Sequence, residues 1–135
     1  MCSCATMTPE QKATLIAGFI ADAKDIADVG TTAALIEKPE LRADLEKVRD
    51  SIAVLANLPE GQVKVDDLLT ALTKLPLDQL TSEKGQIYAL GGRILIRRFV
   101  SWAADPEVDV GASGAVKKFA FAISEGMTDA LKRRP

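Results

Sequence analysis

Apolar positions near the end of the chain recur at helical steps: Val116, Phe119, Ala120, Ile123, Met127, Ala130 and Leu131 follow steps of three and four, with adjacent pairs at 119–120 and 130–131, and share one face. This spacing predicts a final helix, and Lys132, Arg133 and Arg134 in its last turn complement the negative end of the helix dipole. A second periodic run follows Pro39, which suits a first helical turn. Leu41, Leu45, Val48, Ile52 and Leu55 there alternate steps of four and three. Two heptads make a seam within a bundle and fall short of a free-standing coiled coil. Arg42, Glu46 and Arg49 stand at helical pair spacing on the opposite face, which is expected to meet water.

Upstream, Thr8, Pro9 and Gln11 form a start signal: a hydroxyl that can cap, a proline in the first turn and a capping-box glutamine. The helix that begins there buries Ile16, Phe19, Ile20, Ala23 and Ala27, with Gly30 and Ala34 continuing the same period. Gly30-Thr31-Thr32 weakens the pattern, so a break and a short second helix through Glu37 are the alternative to one long helix. Pro59 and Gly61 then mark a turn. Beyond it, Asp66 is placed to cap a short helix carrying Leu68, Leu69, Leu72 and Leu75, which Pro76 closes. Residues 63–65 offer at most one very short extended piece.

The stretch YALGGRILIRRFVSW, residues 88–102, can be read in two ways. As a hairpin it would turn at Gly91-Gly92, but a lone two-stranded ribbon is marginal in water and no third strand offers itself. As a helix over 82–104 it aligns Gln86, Arg93, Arg97 and Ser101 in one narrow stripe, with Arg98 on its flank. The helix is the better reading. The paired glycines then cost about 1 kcal/mol each against Ala and point to a close approach by a neighbouring backbone. Outside the arginine stripe the circumference is apolar or small, so this helix is expected to be central or to be covered by another subunit.

Composition agrees with helices: 135 residues with twenty alanines, fifteen leucines and 4% aromatics. The expected fold is all-α, a compact bundle of four or five helices with short loops. Residues 1–7 form an N-terminal tail, and 8–135 one helical domain large enough for a core without disulfides or metals. No apolar run approaches a membrane span, and the N-terminus lacks a secretory layout, so the expected location is cytoplasmic or within a particle assembled there.

Charge changes the expectation about partners more than about fold. Residues 1–83 hold 14 acidic against 8 basic side chains, a net −6, whereas residues 84–135 hold 5 against 9, a net +4. Asp22, Asp25 and Asp28 line up on the first helix, and we expect them to meet Arg93 and Arg97, either within the chain or between subunits. Arg93, Arg97, Arg98, Phe99 and Trp102 are the candidate partner-binding residues. Together with Lys117, Lys118, Lys132, Arg133 and Arg134, the arginines also raise a nucleic-acid reading in which Phe99 and Trp102 stack on bases. Against it, the chain is acidic overall and carries no nucleic-acid-binding signature.

Candidate chemistry is sparse. With no histidine, the commonest general base and metal ligand are both absent. Cys2 and Cys4 are half a zinc site on a tail and read as inert thiols. Asp105, Glu107 and Asp109 open like a calcium loop, but Val110 and Val116 stand where Gly and Glu are required. No cofactor, metal or catalytic site is expected. The functional expectation is a non-enzymatic interaction or structural protein that self-associates or binds a protein partner. The alternatives are a subunit of a larger particle, such as a phage capsid or tail, and a nucleic-acid-binding accessory protein.

Overall fold

The computed structural model of the chain describes residues 9–59, 62–104 and 113–133. Thr8, the Cys2 and Cys4 tail, the 105–111 connector, Arg134 and the side chains of Ile16 and Trp102 lie outside the described residues. Among the described residues there are five α-helices and no strand: α1 (Pro9–Glu37), α2 (Arg42–Ala56), α3 (Val65–Leu72), α4 (Glu83–Ala104) and α5 (Ser113–Arg133). Single 3₁₀ turns, Pro39–Leu41 and Leu77–Gln79, lead into α2 and towards α4. The protein is a small all-α bundle.

Helix α5 is the centre of the packing, with α1 and α2 against it, and α4 lies along α1. Its predicted apolar face is buried throughout, from Val116 to Leu131, and Ala122, Ser124 and Gly126 are buried as well. That places α5 in the central position expected of the arginine-bearing helix. Across α1, α5 and α4 runs a stack of rings: Phe19 and Phe119 have centroids 5.3 Å apart, and Phe119 and Phe99 4.3 Å apart with planes within 4°. All three are buried, and they lock the three helices at one level.

The α2 seam is buried at Leu41, Leu45, Val48 and Ile52, as its period predicts. Its polar side does more than meet water. Arg42 stands 4.0 Å from Glu46, and its Nη2 also donates to the Leu131 carbonyl at 2.9 Å, filling an acceptor left open in the last turn of α5. Arg49 pairs with Asp50 instead of Glu46, at 2.7 Å, and also reaches Thr128. Lys117 donates to the Leu58 carbonyl at 2.9 Å and ties the end of α2 to α5.

One open alternative is decided and two local expectations are corrected. Helix α1 runs unbroken through Gly30-Thr31-Thr32, because Thr31, Ala34 and Leu35 are all buried and tertiary packing outweighs the weak propensity there. Helix α3 starts one residue before Asp66; Lys64 is its extended flanking residue, and Asp66 lies within the first turn. Gly91 has no atom near its missing Cβ and Gly92 only the Leu77 methyls at 3.6 and 3.7 Å, so no backbone approaches them. The close crossing is at Gly126, where a Cβ would collide with the Lys24 carbonyl and come within 3.1 Å of the Asp28 nitrogen.

Candidate functional site

Helix α4 presents two sides of different character. Towards the core of the bundle, Ala89, Leu95 and Phe99 are buried. On the far side Ile87, Leu90 and Ile94 are 62%, 52% and 42% exposed. Steps of three and four place these three in one strip, which Arg97 and Arg98 continue towards the end of the helix. The strip has company on α1, where Val29 and Ile36 are 44% and 57% exposed. A surface groove lined by Val29, Ala33, Ile36, Lys84 and Tyr88 runs between α1 and the first turns of α4, and the strip of Ile87, Leu90 and Ile94 lies outside it.

The candidate residues divide sharply on this frame. Arg97 and Arg98 are exposed and make no ion pair among the described residues. Arg93 is exposed too, but its Nη2 lies 2.5 Å from Asp78 in the preceding turn. Phe99 is 1% exposed in the ring stack and is unavailable to a partner, a correction to its place among the binding candidates. A 100° turn separates consecutive helical residues, so the neighbours of an exposed arginine can be core. The Trp102 side chain lies outside the described residues.

On α1, Asp22 and Asp25 are exposed, and Asp28 is half-buried and bound to Arg133, whose Nη1 donates to it at 3.1 Å. Hydrogen bonding to Asp28 raises the Arg133 pKa above its ordinary value. The intrachain form of the Asp stripe meeting Arg93 is therefore not what is built: Asp28 takes Arg133, and Arg93 takes Asp78. Lys24, on the same helix, pairs with Glu125 at 2.5 Å, which raises its pKa through hydrogen bond and charge together. Of the basic residues gathered in the C-terminal half, Arg93, Lys117 and Arg133 are thus engaged within the chain.

Two features escaped the sequence. The Glu37 carboxylate caps the start of α4, accepting from the Thr81 amide at 2.6 Å, from the Ser82 amide at 3.1 Å and from the Ser82 hydroxyl. Ser82 Oγ in turn accepts from the Gly85 amide at 2.9 Å. Forty-four residues separate Glu37 from Thr81, so no local motif announces the cap. The second is a cavity of about 70 Å³ between α1, α3, α4 and α5, lined chiefly by hydrocarbon, including Gly30, Leu72, Leu95 and Met127, with Thr31 and Tyr88 as its polar residues. Only the exposed strip was open to a sequence reading, through the three-and-four spacing of Ile87, Leu90 and Ile94.

Among the described residues no cluster of acidic, Cys or His side chains is arranged to hold a metal, and no helix is long and apolar enough to cross a membrane. No protein-family model, curated protein or solved structure matches the chain.

Proposed function

We propose that the protein is a helical interaction module that acts by binding, and that its binding surface is the exposed apolar strip of α4, used first for self-association. One observation carries the reading: three large apolar side chains, Ile87, Leu90 and Ile94, are exposed in one strip of α4. Burying such side chains is worth about 25 cal/mol per Å² of apolar surface, and contiguous patches of this kind mark interaction sites.

The test is the mass of the purified chain by light scattering and sedimentation from micromolar to near-millimolar concentration. Self-association through this face gives a defined oligomer that Leu90→Asp converts to monomer, with the helical circular dichroism unchanged. A monomer at every concentration overturns self-association, and an oligomer indifferent to Leu90→Asp overturns the choice of face.

A further inference from the structure

The cavity inside the bundle is separate from the exposed strip of α4 and has a construction of its own. Its inner wall is made by Leu45, Leu72, Leu95, Ile123 and Met127, all buried. Towards the surface the wall passes to Leu75, Pro76, Leu77, Tyr88, Gly92 and Ile96, all half-buried, so the cavity is open on one side. Among the described residues no charged side chain lines it.

Gly30 of α1 and Gly92 of α4 both line this cavity from inside a helix, where only proline is a poorer helix former than glycine. Neither serves a close crossing. A Cβ at Gly30 would meet nothing within 4 Å, and one at Gly92 only the Leu77 methyls, at 3.6 and 3.7 Å. What the missing side chains leave is room beside the cavity. We infer that the cavity is a ligand site and that it takes the end of a short saturated alkyl chain carried by a small molecule, whose polar end stays at the mouth.

Size and chemistry select this class of ligand. At about 70 Å³ the cavity has under half the ~150 Å³ that accepts a benzene ring, and it leaves room for roughly three carbons in a row. An apolar cavity excludes water, which finds too few partners there, so the lining atoms lack contacts until hydrocarbon supplies them. Thr31 and Tyr88 bring the only hydroxyls to the wall, and a charged group could not enter without losing its hydration unpaired. Apart from Tyr88 the lining side chains are aliphatic or small, which suits a flexible chain and offers no second ring for stacking.

The test is a titration of the full chain with straight-chain primary alcohols from ethanol to hexanol, followed by amide NMR. Shifts should saturate at the lining residues. Affinity should rise about fourfold per methylene up to roughly the third carbon and then level off, because further carbons stand outside the mouth in water. Two variants locate the site. Gly30→Ala combined with Gly92→Ala sets methyl groups on the wall, keeps the helical circular dichroism, and should weaken butanol binding by at least about tenfold. Gly91→Ala makes the same gain in helix propensity at a position outside the lining and should bind butanol as the wild type does. Shifts that never saturate, or an affinity that climbs unchanged through hexanol, show partition onto exposed apolar side chains and overturn the site. Undiminished binding by the Gly30 and Gly92 variant overturns it too, as does an equal loss in Gly91→Ala.

Discussion

Glu37, the last residue of α1, sits on the first turn of α4 through Ser82, whose hydroxyl and amide both donate to its carboxylate. The carboxylate meets the positive end of the α4 dipole and satisfies amides that a helix start leaves open. Hydrogen bonds from Ser82 and then Thr81 hold the Glu37 pKa below its ordinary value. A depressed carboxylate pKa contributes stability that is fully present above the unfolded value near ~4.3 and is lost as pH falls through the lower folded value. Glu37→Gln should therefore lower the melting temperature at pH 7 and flatten the acid side of the stability profile, with the two proteins converging at the most acidic pH. Parallel profiles would show that the carboxylate does not act as this cap.

Gly85 belongs to the same device, because a Cβ there would collide with the Glu37 carboxylate and stand 2.9 Å from Ser82 Oγ. Gly85→Ala gains helix propensity of about 1 kcal/mol yet must displace the cap. We expect net destabilisation at neutral pH that shrinks in a Glu37→Gln background. The coupling is measured by a double-mutant cycle in urea; additive effects would mean that the two positions do not communicate.

The glycines of the bundle should respond in opposite senses. At Gly126 the obstacle to a side chain is the α1 backbone, which cannot move aside cheaply. Gly126→Ala should therefore cost on the order of 1–3 kcal/mol, as overpacking does. Gly30 and Gly91 have open space where a Cβ would go, so alanine at either should stabilise by about 1 kcal/mol or slightly less. Equilibrium urea unfolding of the three variants decides it, and a stabilised Gly126→Ala would contradict the close crossing of α1 and α5.

The same contrast marks how far the residues can be read before the fold is known. The faces of α2 and α5 were legible because Leu41, Leu45, Val48 and Ile52, and Val116 through Leu131, repeat at the helical period without interruption. The extent of α1 was only half legible: Gly30-Thr31-Thr32 carries the local chemistry of a break, and its continuity depends on burial of Thr31 and Leu35 against elements distant in sequence. The paired glycines point to close approach at Gly91-Gly92, and it is found at Gly126, since glycine advertises an absent side chain but not which neighbour uses the space. Adjacency along the chain groups Phe99 with Arg97 and Arg98, and the helical turn carries it into the core while they stay exposed.

Phe119 joins three helices through its two ring contacts, and it is 1% exposed. Truncation to Ala removes the middle of the stack and should cost about 3–5 kcal/mol, a large share of the stability of a domain this size. Phe121, two residues on, is 54% exposed, and Phe121→Ala should stay within ~0.5 kcal/mol. Thermal melts of the two variants test whether the ring stack organises the bundle.

A final pair of neighbours separates folding from association. Ile94 and Leu95 are consecutive on α4, yet Ile94 is 42% exposed and Leu95 is 7% exposed against the cavity wall. Leu95→Ala removes buried methyl groups and should lower stability by about 2–5 kcal/mol at any protein concentration. Ile94→Ala leaves the monomer core intact, so its unfolding midpoint in dilute solution should match the wild type. As concentration rises, dimerisation stabilises the wild type by mass action and stabilises Ile94→Ala less, so their midpoints should diverge. Melts of all three proteins across a hundredfold range of concentration give the result. A constant gap between Ile94→Ala and wild type would mean that Ile94 supports the fold of the single chain and takes no part in pairing two.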